Sequence, residues 1–212
     1  MLFEHIGHAE FRITLESGFR IVTDPYDETC GYPVRKVEAD GVLVSHHHHD
    51  HDAVENVSGH PQIIDYAGEH TFAPGVRVTA LMADHDDAGG EKRGRTLLFL
   101  LEAEGLRVAH LGDLGCELTA EQLTVLHGID VLMIPVGGYF TVDAKKARDI
   151  AGQLEARIIL PMHYKTKYNQ DWPIESVERF TELFDSGEVR TDGEALRVTR
   201  GDLGCHPRVV VI

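Results

Sequence analysis

Ser45-His46-His47-His48-His49-Asp50-His51-Asp52 places five imidazoles and two carboxylates in eight consecutive residues, directly after the apolar run Val42-Leu43-Val44. A cluster of that density has no use in an apolar core, where every buried polar group needs its own partner. Its composition is that of a metal-ligand loop. In the register His46-x-His48-x-Asp50-His51, the two histidines two apart on extended chain point the same way, whereas Asp50 and His51 need a turn between them to reach a second centre. Such a loop requires partners from elsewhere in the chain.

Residues 42–44 are apolar without alternation, which suits a strand covered on both faces. Three further apolar runs end as this one does: 76–82 leads into Ala83-Asp84-His85, 106–111 into Gly112-Asp113, and 157–160 into Pro161-Met162-His163. Strand ends converge where sequence neighbours cannot, and α/β proteins hold ligands there. Zinc and similar ions favour imidazole nitrogen and carboxylate oxygen, and a two-metal site needs three to four ligands per ion plus a bridge. The chain offers His46, His48 and His85 for one ion, Asp50, His51 and His163 for the other, and Asp113 between them. Blander readings compete. Four consecutive histidines resemble an expression tag, but a tag sits at a terminus; a loose nickel or copper trap would leave His85, Asp113 and His163 uninvolved; Asp50 alone reads as a helix cap and Asp113 alone as a turn residue. Their shared position at strand ends favours the metal reading.

The rest of the chain supplies a scaffold. Alternation predicts a hairpin over residues 10–23 with its turn at Ser17-Gly18, stopped by Asp24-Pro25, then a Gly/Pro-rich loop to about Asp40. One or two helical turns are expected at 53–57, stopped by Gly59 and Pro61, followed by strands at 62–66 and 76–82 and a flexible loop at 89–94. A second hairpin pairs 96–102 with 106–111 about Glu104-Gly105. Thr119 and Gln122 form a capping-box pattern for a helix ending at Gly128; further helices are expected at 143–155 and from Pro173 to 186, with strands at 130–135, 157–160 and 208–212.

A length of 212 residues bounds one domain, 1–212. The formal net charge of −15 argues against a surface that neutralises nucleic-acid phosphates or an anionic membrane. Cys30, Cys116 and Cys205 are odd in number, with no Cys-x-x-Cys pair, so neither a disulfide framework nor a zinc ribbon is indicated. With no leader-like N-terminus and no apolar run long enough to span a bilayer, the expectation is a soluble, cytoplasmic protein, with a homo-oligomer left open.

His46-x-His48-x-Asp50-His51, then His85, Gly112-Asp113 and Pro161-Met162-His163, resembles the metallo-β-lactamase superfamily. The flanking Ile6-Gly7-His8-Ala9, Thr23-Asp24-Pro25-Tyr26 and the stretch 130–138 resemble its small stand-alone hydrolases, the branch that includes ascorbate-phosphate-lactonase-like proteins. The resemblance spans almost the whole chain. It implies an α/β fold, an αββα four-layer sandwich with a dinuclear site on one edge. It also implies two divalent ions, zinc or else manganese: His46, His48 and His85 on the first, Asp50, His51 and His163 on the second, Asp113 bridging. Diiron oxygen-reducing relatives carry a glutamate where this chain has His48. A hydroxide activated between two cations would then attack a carbonyl or phosphorus. Asp50 would orient that nucleophile, His110 is the candidate for an extra acid or outer donor, and His8 and Asp24 are candidates for orienting ligand imidazoles. Tyr139 and Tyr164 adjoin the expected site. The expected function is hydrolysis of a small lactone, ester or phosphate-containing metabolite. The alternatives are a phosphodiesterase or nuclease, and a non-hydrolytic oxidoreductase or metal-binding protein on the same fold.

Overall fold

The computed structural model describes residues 1–191, 193, 195–204 and 208–212, so Cys205 lies outside the described residues. Strands β1 (Leu2–Gly7), β2 (Glu10–Thr14), β3 (Arg20–Thr23), β4 (Val37–Leu43) and β5 (Val57–Ile64) form most of one sheet. The second contains β6 (Gly68–Ala73), β7 (Val76–Asp84), β8 (Arg95–Ala103), β9 (Leu106–His110), β10 (Val131–Pro135), β11 (Ile158–Met162), β12 (Val189–Thr191) and β14 (Arg208–Val211). With β13 (Ala195–Arg197) added to the first, the strand orders are β13-β1-β2-β3-β4-β5 and β12-β14-β11-β10-β9-β8-β7-β6.

Phe3, Phe11, Ile13, Ile21 and Leu43 of the first sheet meet Val78, Leu97, Phe99, Leu101, Met133 and Leu160 of the second in the central core. Each such side chain contributes about 1.5–3 kcal/mol on burial. The alternate residues Leu98, Leu100, Ala109, Leu132 and Ile159 face outward beneath α1 (Ala120–Leu126), α2 (Ala144–Gln153) and α3 (Glu178–Thr181). Burial on both faces explains why β8 reads as a continuous apolar run without alternation. The outer face of the first sheet buries Val22, Val42, Val44 and Val57 under Ile6 and Val54, where a 3₁₀ turn (Val54–Asn56), not an α-helix, forms the cover.

The capping box is present: Gln122 N donates to Thr119 Oγ1 at 3.2 Å and Thr119 N to Gln122 Oε1 at 2.7 Å. Three expectations are corrected. The turn after Asp52 is a single 3₁₀ turn that passes straight into β5; Gly59 and Pro61 lie inside that strand, which is an edge strand and so tolerates the missing N–H. The loop expected to reach Asp40 ends earlier, since β4 begins at Val37. The helix expected from Pro173 is confined to Glu178–Thr181, because Glu175 N donates to Gly137 O at 2.7 Å and Lys165 N to Glu175 O at 2.8 Å, which holds the preceding segment extended.

Candidate metal centre

Four strands deliver the polar clusters from their C-terminal ends: β4 into residues 45–52, β7 into His85, β9 into Asp113 and β11 into His163. Backbone bonds lock these ends together. Leu97 N donates to Ser45 O at 2.8 Å, tying the histidine loop to β8, and His163 N donates to His8 O at 3.0 Å, tying β11 to the β1–β2 turn. His8, Asp24 and His163 all sit at positive φ, of 52°, 40° and 51°, a conformation non-glycine residues adopt only where their surroundings enforce it.

Ligand-capable atoms of His46, His48 and His85 lie within 4.8 Å of one another, as do those of His8, Asp50, His51 and His163, and those of His46, His51 and Asp113. Asp113 faces the first two of these groups. Its Oδ2 is 3.3 Å from His85 Nε2 and 3.2 Å from His163 Nε2, and its Oδ1 is 3.3 Å from His51 Nε2. Asp50 Oδ2 lies 3.3 Å from His8 Nε2 and 3.7 Å from His51 Nε2. His47 turns away, toward Asp52 and Asp65, at 3.4 and 3.8 Å. His49 engages Thr29 Oγ1 through Nδ1 at 2.7 Å.

Behind these groups stands Asp24, fully buried. Its Oδ1 accepts from Ser45 N at 2.7 Å, and its Oδ2 accepts from Ser45 Oγ at 2.7 Å and from His51 Nδ1 at 2.9 Å. A carboxylate on Nδ1 fixes the ring so that Nε2 presents its lone pair to an ion. His110 stands further back. Its Nε2 donates to Ala9 O at 3.0 Å, and its Nδ1 accepts from Gly112 N at 3.2 Å, so both nitrogens are engaged by backbone and neither faces the cleft. Tyr164 is buried in the core beneath the helices, while Tyr139 is exposed beside Phe140.

The electrostatics call for positive charge. Burial opposes ionisation of Asp113, yet His163 and His51 hold its carboxyl well below the usual range; burial likewise opposes Asp50, which His51 and His8 hold low. Burial disfavours charge on His51, but Asp113, Asp50 and Asp24 raise its pKa well above the ordinary value. Burial, with repulsion from His51, pushes His46 down to about 3, and burial, with repulsion from His163, pushes His8 down to about 4. Neutral imidazoles and ionised carboxylates are the forms that bind divalent ions. His46 Nε2, His51 Nε2, Asp113 Oδ1 and both nitrogens of His163 are buried without a hydrogen-bond partner. Orphaned buried polar atoms of this kind are rare in native proteins, and here they converge, so the donor set fits divalent cations.

Glu10, near Asp24, is a buried carboxyl outside the ligand groups. Burial raises its pKa from 4.5 to about 8 against a backbone hydrogen bond at Tyr26, with repulsion from Asp24 adding to the rise. The folded state then holds a proton that the unfolded chain gives up, so stability falls as pH climbs from the unfolded value through about 8. Glu10→Gln is therefore expected to gain stability over the native chain with rising pH, by up to about 1.4 kcal/mol for each pH unit between the unfolded and folded pKa values. Denaturant midpoints at acidic and alkaline pH check this; parallel curves for the two proteins would contradict it.

The ligand groups open into a cleft of about 470 Å³ lined by His48, Asp50, His85, Arg93, Phe140 and Trp172, among others. Residues 3–163 match the family model described as the beta-lactamase superfamily domain. A UPF0173 metal-dependent hydrolase of Thermococcus onnurineus is 30% identical over 195 residues, covering 79% of this chain and 84% of its own. Another from Carboxydothermus hydrogenoformans is 30% identical over 231 residues, covering 93% and 94%. A Thermotoga maritima crystal structure, described as a candidate Zn-dependent hydrolase of the metallo-beta-lactamase superfamily, is 38% identical with a TM-score of 0.82, over 99% of this chain and 97% of that one. The chain belongs to the metallo-β-lactamase superfamily and has its α/β fold. Within that superfamily it is a metal-dependent hydrolase of the stand-alone branch.

Proposed function

We propose that the chain hydrolyses a small lactone, ester or phosphate-containing metabolite with water activated between two divalent ions, zinc by donor type, with manganese as the alternative. The observation that carries this reading is Asp113, whose Oδ2 lies within reach of both His85 and His163 while its Oδ1 faces His51, so that one carboxylate touches both groups. In this reading His46, His48 and His85 would hold one ion and Asp50, His51 and His163 the other, with Asp113 available to both. Bound there, the ions would supply Lewis-acid charge and lower the pKa of water between them.

The chain's own groups do the rest. Asp24 keeps the proton on His51 Nδ1, and Ser45 Oγ, 2.9 Å from His46 Nδ1, orients the first imidazole. Asp50, ionised and at the cleft wall, is placed to orient the attacking water as a hydrogen-bond acceptor. Of the two roles the sequence left to His110, extra acid or outer donor, its backbone bonds favour the second, joining Ala9 to the Gly112-Asp113 turn. The excess of carboxylates supports a small-molecule substrate over nucleic acid. No described helix is long and apolar enough to cross a membrane.

A panel of lactones, thioesters and phosphodiesters, assayed on the metal-loaded protein with and without chelator, tests the reading. Chelator-sensitive turnover of one class, lost in His163→Ala, is expected; inactivity across the panel at full metal loading would contradict it. The register within the loop has its own check. His48→Ala should lower bound metal, whereas His47→Ala and His49→Ala should leave it unchanged, because His47 faces Asp52 and Asp65 and His49 is held by Thr29. Loss of metal in either of those variants comparable to His48→Ala would show the register to be wrong.

A further inference from the structure

We infer that Arg93 binds an anionic group, a carboxylate or phosphate, on the substrate, so that this hydrolase acts on metabolites carrying such a group away from the bond that is cleaved. The inference rests on the hydrolase reading above. Arg93 lines the same cleft as His48, His85, Asp113 and His163. Its guanidinium lies 5.4 Å from the Phe140 ring centre and 5.9 Å from that of Tyr139. Arg12, Arg20, Arg77, Arg95, Arg107 and Arg157 each pair with a carboxylate, as expected in a chain with 35 Asp and Glu against 20 Lys and Arg. Among the described residues, Arg93 has no ion pair.

The loop that carries it is built to hold its place. Buried Asp86 accepts backbone N–H bonds from Ala88, Gly90, Lys92 and Arg93, at 2.8, 3.0, 2.9 and 2.8 Å. Burial works against that carboxylate, but these four donors keep its pKa down at about 2. His85 N donates to Gly94 O at 3.0 Å, which joins the residue after Arg93 to a residue of the candidate metal centre. One loop thus presents His85 at its start and a fixed cation at its end. Outside the ligand groups, the other charged side chain on the cleft wall is Asp171, which is exposed.

A guanidinium is a planar fork of donors that matches carboxylate and phosphate oxygens, and an aromatic face beneath it holds that plane without competing for its N–H groups. Phe140, Trp172 and Pro173 offer apolar wall for the carbon frame of a small substrate. The attacked group would lie by Asp113 and the anion by Arg93.

Alkyl hydroxamates, whose head groups chelate metal, test this by calorimetry on zinc-loaded protein. A series of spacer lengths ends in methyl, carboxylate or phosphonate. Native protein should bind at least one anionic member about tenfold tighter than its methyl counterpart, and the anion that gains most identifies the group. Arg93→Gln should abolish that advantage while binding the methyl series as before; Arg93→Lys should restore part of it. Equal affinity for anionic and methyl-ended members across the series, or a preference that survives Arg93→Gln, would overturn the inference and leave the hydrolase reading intact. Failure of every hydroxamate to bind would remove the exchangeable metal position, and with it both readings.

Discussion

Asp113→Ala is expected to lose one or both metal ions and at least about a thousandfold in kcat/KM, roughly 4 kcal/mol of transition-state stabilisation. The side chain is buried, ionised and within 3.3 Å of His51, His85 and His163. Its removal would leave two bound ions among neutral imidazoles with no compensating anion between them. Asp113→Asn keeps the volume but halves the acceptor capacity, and should fall between the native protein and the alanine variant. Elemental analysis of each variant, read beside turnover of the best substrate in the panel, checks the effect. Full metal content in Asp113→Ala would remove the bridge from the mechanism.

The second large effect is expected at Asp24, which does not line the cleft. Its carboxylate holds Ser45 and His51 in place from behind, and its φ of 40° is one that asparagine also tolerates. Asp24→Asn therefore isolates the loss of the carboxylate. An amide would present its NH2 to a donor already in place, leaving His51 or Ser45 unsatisfied in a buried setting. Metal affinity should fall by about 10–100-fold, the range typical of such supporting partners. Competition with a chromophoric chelator measures it. An unchanged affinity would show that His51 is oriented by packing alone.

Much of the candidate centre was legible in the sequence because its candidate ligands are chemically conspicuous and end apolar runs, as at Val44-Ser45-His46 and Met162-His163. The two hairpins were legible from alternation and from Ser17-Gly18 and Glu104-Gly105. What was not legible depends on tertiary contacts. β1 has an uneven burial pattern and is held between β2 and β13, pairings that local residues do not announce. Residues 174–176 follow a favoured helix-start proline, yet backbone partners at Gly137 and Lys165 hold them extended. His8 was visible only as a group orienting a ligand; its approach to Asp50 depends on β1 meeting the end of β11. Arg93 read as one charge in a flexible loop, because the order of that loop comes from Asp86, whose four backbone acceptances leave no pattern in residue type.

The most direct test of the two-ion centre is the metal content of the purified protein by elemental analysis, beside Asp113→Ala. About two divalent ions per chain, with one or both lost in the variant, is the predicted result. A content well below one per chain that the substitution leaves unchanged would contradict it.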